Sequence, residues 1–135
     1  MPLNGILSAL TRHPHFVRHF EQIDSAVNGS SESAGIAVRQ GARPAYLAAL
    51  WRHSHRPVLV LTPRPEDARR LHDQILTYVG DDEPVYLLPE PDVLPFERLA
   101  VDVRTSNQRL VALAALVGAS AGTRSAGAVI LFLCL

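Results

Sequence analysis

The side chains most capable of chemistry in this chain are arginines, histidines and carboxylates. Seven arginines bunch within one stretch: Arg39, Arg43, Arg52, Arg56, Arg64, Arg69 and Arg70. Such a cluster can form an anionic-ligand or DNA-facing patch. All 13 basic residues of the chain are arginine, and no lysine occurs. Schiff-base chemistry and the lysine of a phosphate loop are therefore excluded. Gly41-Ala42-Arg43-Pro44 stands where a strand-to-helix phosphate loop would lie. A working loop needs several glycines, a lysine and a Ser or Thr for magnesium. This turn has one glycine, and Pro44 removes a backbone N–H from the helix start. It reads as a degenerate phosphate loop that binds no cofactor.

His15 and His19 lie four apart, and His53 and His55 two apart. Neither pair has the third and fourth converging ligands that zinc requires, so no metal site is expected. Glu90, Asp92, Glu97 and Asp102 fall in one proline-rich segment and could supply an acid–base pair, although a solvated loop is the simpler reading. No Gly-x-Ser-x-Gly elbow is present, and Cys134, the single cysteine, sits in an apolar run without a histidine partner. No catalytic residue is assigned.

The elements that must position these groups follow from periodicity. Phe16, Phe20, Ile23 and Val27 share one face of a helix predicted over 14–28. A short strand is predicted at 35–38 and a helix from Pro44 to about residue 53. The continuous apolar run at 57–62 reads as a strand buried on both faces, central in a parallel sheet. Pro65, Glu66 and Asp67 suit the first turn of a third helix, which Gly80 ends. A strand is predicted at 85–88. Thr105 or Ser106 is expected to cap a helix to residue 117, with Leu110, Leu113, Ala114 and Val117 inside. A last strand is expected at 128–135. Alternation of this kind predicts an α/β fold: a parallel sheet with helices on both faces, resembling a P-loop nucleotide-binding fold that is degenerate and incomplete. Residues 1–29 form a helical segment and 30–135 the α/β module in this reading.

The 135 residues suffice for a core, with 47% hydrophobic and 19% charged residues. This excludes a disordered chain. A formal net charge of zero disfavours a globally basic nucleic-acid binder. The longest apolar run is far short of a membrane span and no signal peptide is visible, so a cytoplasmic protein without membrane association is expected.

One stretch carries a resemblance. Pro89-Glu90-Pro91-Asp92-Val93-Leu94-Pro95-Phe96-Glu97 follows a predicted strand and precedes a helix with a Gln108-Arg109-Leu110 core. This resembles the amino-terminal region of bacterial transcription-repair coupling factor, an excinuclease-B-like module with a degenerate phosphate loop. The resemblance spans roughly residues 30–118. It implies family-motif positions at Pro89, Leu94, Pro95, Phe96, Glu97, Gln108, Arg109 and Leu110. The family is an ATP-dependent DNA translocase of nucleotide excision repair. It displaces stalled RNA polymerase and recruits excinuclease A. Its ATP and magnesium sites belong to motor domains absent from this chain, and the surfaces for RNA polymerase, excinuclease A and DNA lie largely outside it. The resemblance thus implies a non-catalytic module, truncated or frame-shifted within 129–135. The alternative is a nucleotide- or anion-binding α/β domain with a residual enzymatic role.

Overall fold

The computed structural model describes residues 3–29, 35–90, 102–120 and 130–134. Five helices dominate it: α1 (Asn4–Thr11), α2 (Pro14–Val27), α3 (Arg43–Ser54), α4 (Pro65–Val79) and α5 (Val103–Ser120). Three short strands accompany them: β1 (Val58–Thr62), β2 (Val85–Leu88) and β3 (Ile130–Cys134).

Local chemistry explains most helix ends. Proline stands in the first turn of α2, α3 and α4, where its missing N–H is harmless. The His13 side chain accepts from the His15 backbone N–H at 3.3 Å and so caps α2. Glu66 and Asp67 place negative charge at the start of α4. Gly80, at φ 105°, turns the chain out of α4 in a conformation that disfavours a side chain. His55, at φ 51°, closes α3 in the left-handed region.

The core joins residues from most of the elements. Leu7 of α1, Phe16 of α2, Ala48, Ala49 and Trp51 of α3, Ala68, Ile75 and Val79 of α4 and Val85 of β2 form one buried cluster. Val58, Val60 and Leu87 pack against it. On the other side of β2, Leu88 and Tyr86 meet Ala112 of α5 in a smaller cluster.

The predicted fold class is corrected. The described residues are mostly helical, and the strands among them form only a three-stranded patch of four or five residues each, in the order β1-β3-β2. It is covered on both faces at β2, where α5 packs, but not at β1. Leu59 and Leu61, on the β1 face opposite Val58 and Val60, are 52% and 50% exposed. Nor is it P-loop-like: residues 35–39 form no strand, so no strand delivers the chain into the Gly41 turn. Val58–Leu61 is not central either, because β3 lies between β1 and β2 and pairs with both in parallel. The difference has a physical source. An apolar run records that both faces tolerate burial, not that both are buried.

Helix α1 lies within the segment 1–29 read as helical, ahead of the helix 14–28 whose bounds the periodicity gives. In α5 the predicted inner face is also corrected. Leu110, Leu113, Ala114 and Val117 are exposed, and Ala112 is the buried residue. Apolar residues run around that helix on every side, so periodicity has no face to choose. Contact with β2 selects the small one, which lets the helix approach closely.

Candidate functional site

A cleft of about 1070 Å³ opens beside the end of β1. One bank is the segment 36–43, which passes through a single 3-10 turn (Gln40–Ala42) into α3. The opposite bank is Val60, Leu61, Thr62 and Pro63, and α3 and α4 contribute Tyr46, Leu47, Leu71 and Gln74. Three arginines converge on it: Arg39, Arg43 and Arg70. All three are exposed. Arg43 Nε donates to the Val38 carbonyl at 3.4 Å, and Arg70 binds Asp67 at 2.6 Å. Thr62 is buried and its hydroxyl donates to the Arg64 carbonyl at 3.0 Å, which tightens the turn after β1.

The degenerate phosphate loop is part of this cleft. Gly41 and Arg43 line it, Ala42 lies in the 3-10 turn, and Pro44 is buried in the first turn of α3. The Ala42 N–H is already bonded to the Arg39 carbonyl at 2.9 Å. The Arg43 N–H is bonded to the Gln40 carbonyl and Pro44 has no N–H, so residues 42–44 leave no successive free backbone N–H groups to cradle a phosphate.

The seven-arginine cluster does not form one patch. Arg56 pairs with Asp24 at 3.0 Å and Arg52 with Glu83 at 3.9 Å. Arg64 precedes α4, and Arg69 lines a separate cavity of about 970 Å³ beside β2 and α5. Sequence proximity hides this division, because α3 and α4 turn their arginines to different sides.

The histidines also separate. His15 is exposed and stacks on His13, with ring centroids 5.4 Å apart. His19 is buried, and its Nδ1 shares a hydrogen bond with the Tyr46 hydroxyl. Burial raises the Tyr46 pKa above the ordinary phenol value. His19 Nε2 and Trp51 Nε1 are buried without a hydrogen-bond partner among the described residues. His53 meets the edges of Phe16 and Phe20. His55 is the left-handed closing residue of α3. Among the described residues no three His, Cys, Asp or Glu side chains gather to hold a metal ion.

Of the four loop acids, Asp92 and Glu97 lie outside the described residues and Glu90 is exposed. Asp102 caps α5, a role the residue types predict for Thr105 or Ser106. Its carboxylate accepts the Arg104 N–H at 3.1 Å, and the Thr105 hydroxyl and N–H at 3.0 and 3.2 Å. These bonds, that of the Arg104 backbone first, lower its pKa below the usual carboxylate range. An acid held ionised at a helix start has no proton to donate near neutrality.

The motif positions are partly visible. Leu94, Pro95, Phe96 and Glu97 lie outside the described residues. Arg109 donates to the Pro89 carbonyl and ties the end of β2 to α5. Gln108 lines the second cavity, and Leu110 faces solvent. The side chain of Cys134 is likewise outside what is described. No helix among the described residues is long and apolar enough to cross a membrane. No protein-family model, curated protein or solved structure matches the chain.

Proposed function

We propose that this chain acts as a non-catalytic docking module of the kind at the amino-terminal end of a transcription-repair coupling factor. The supporting observation is the Arg109–Pro89 hydrogen bond, which joins two motif positions 20 residues apart in sequence. It gives the motif a mechanical purpose: the arginine fixes the direction in which the chain leaves β2. The spoiled turn at Gly41–Pro44 agrees with a module that holds no nucleotide. In this reading ATP, magnesium and DNA translocation belong to the motor domains of the larger protein. RNA polymerase and excinuclease A would meet that protein mainly through surfaces outside this chain. Of the alternative, a nucleotide- or anion-binding domain with a residual enzymatic role, the same turn disfavours the nucleotide-binding form.

The test is association in trans. The purified chain should bind a coupling factor lacking its own amino-terminal region, measured by calorimetry, and Arg109→Ala should weaken that binding. Failure to associate would overturn the proposal. So would a magnesium-dependent ATP affinity in the micromolar range.

A further inference from the structure

We propose that the arginine-rimmed cleft beside β1 is a docking groove for an acidic, extended peptide that adds a strand to the free edge of β1. The inference does not depend on the repair-factor reading.

Three observations carry it. First, among the described residues β1 is hydrogen-bonded on one side only, to β3. Its other edge therefore carries unpaired backbone groups among the described residues, a ready template for a further strand. Second, the neighbouring segment 35–39 does not fill that edge, and the cleft separates it from Val60–Pro63. The gap is thus bounded by a bare strand edge on one bank and by irregular backbone on the other. Third, the side chains around it set the occupant's chemistry. Ile36 and Leu61 expose apolar surface at the cleft, at 44% and 50%. Arg39, Arg43 and Arg70 stand against one carboxylate, Asp67, which Arg70 already engages. The groove keeps an excess of positive charge that an acidic partner would complement.

A nucleic acid is the weaker match. Phosphate backbones are held by dense positive charge. Here the other nearby arginines are directed elsewhere, and the chain as a whole is neutral. A strand of alternating acidic and apolar residues uses both the charge and the apolar surface, and its backbone satisfies the edge of β1.

The experiment is fluorescence anisotropy on the full chain. The probe is a labelled peptide of about eight alternating Asp and Val residues, a length suited to pairing with one strand. Three competitors are compared: the same peptide with Lys for Asp, the same peptide with alternate backbone amides N-methylated, and an oligothymidylate. The acidic peptide should bind at least about tenfold more tightly than the lysine version. N-methylation should abolish binding, because it removes the ladder donors. Arg39→Glu with Arg43→Glu should weaken binding by about tenfold or more, while Arg64→Glu, outside the cleft, should not. Circular dichroism of each variant confirms that it is folded. Equal binding of the acidic and basic peptides would overturn the proposal. So would indifference to N-methylation, or tight binding of the oligothymidylate alone.

Discussion

Helix α4 packs on the strands from one face and α5 on β2 alone from the other, and the two are held in different ways. α4 buries Ala68, Ile75 and Val79 in the main cluster with α3, β1 and β2. α5 buries Ala112 against Leu88 and Tyr86, while Leu110, Val111 and Val117 face solvent. The sequences explain the contrast. α4 alternates apolar with charged residues at helical spacing, so only one face can go inside. α5 is apolar on every side from Leu110 onward; Ala112 packs on β2, the Arg109–Pro89 bond ties the helix to the end of that strand, and the Asp102 cap orders only its own first turn. One helix is placed by a broad apolar face, the other by one small buried side chain and one hydrogen bond.

The sharpest test of this contrast is Ile75→Ala in α4. Ile75 is fully buried, and the cavity left behind should cost about 3 kcal/mol, read from urea unfolding. If the loss is below about 1 kcal/mol, the main cluster is not what secures α4. In α5 the comparable loss should come from a polar side chain. Arg109→Ala leaves the Pro89 carbonyl without its donor and should cost about 1 kcal/mol. An unchanged unfolding midpoint would remove that bond from the account.

The Asp102 cap should show itself in pH. Its native pKa lies below the ordinary 3.8 because backbone and hydroxyl donors favour the charged form. The cap's contribution is therefore complete above the unfolded value and disappears as pH falls through the lower native one. Acid titration by NMR should find the Asp102 carboxyl titrating below the ordinary 3.8, with the first turn of α5 loosening in the same range. Titration of Asp102 at or above that value would contradict the cap. The smallest effect belongs to Leu110→Ser. Leu110 is 64% exposed, and its replacement should move stability by no more than about 0.5 kcal/mol. A large loss would mean that α5 rests on its apolar surface after all.

The same contrast explains how much of the molecule is legible in its residues. The spans of α2, α3, α4, β1 and β2 follow from proline, glycine and apolar spacing, because those signals act within a few residues. The burial of α4 follows too. The exposed face of α5 and the bare side of β1 do not, because an apolar residue reports what it tolerates rather than what neighbours it. The reading of the Gly41–Pro44 turn as a degenerate phosphate loop rests on residue types alone. That Arg39, Arg43 and Arg70 share a cleft while Arg52 and Arg56 pair with Glu83 and Asp24 depends on helix rotation, which adjacency in sequence does not encode. The cap at Asp102 is hidden among loop acids, although its distance of three residues from Thr105 is a usable cue.

The position of β3 has a consequence for the birth of the protein. Ile130 pairs with both Val58 and Val85, so among the described residues neither earlier strand has a hydrogen-bonded neighbour strand until β3 is made. On a ribosome adding roughly 5–20 residues per second, β1 and β2 wait for seconds with unsatisfied edges. During that interval α3 and α4 can already shield Val58, Val60 and Val85 from one side. Five residues of β3 join two strands at once, so the patch formed by the described strands is complete only once residues 130–134 are in place.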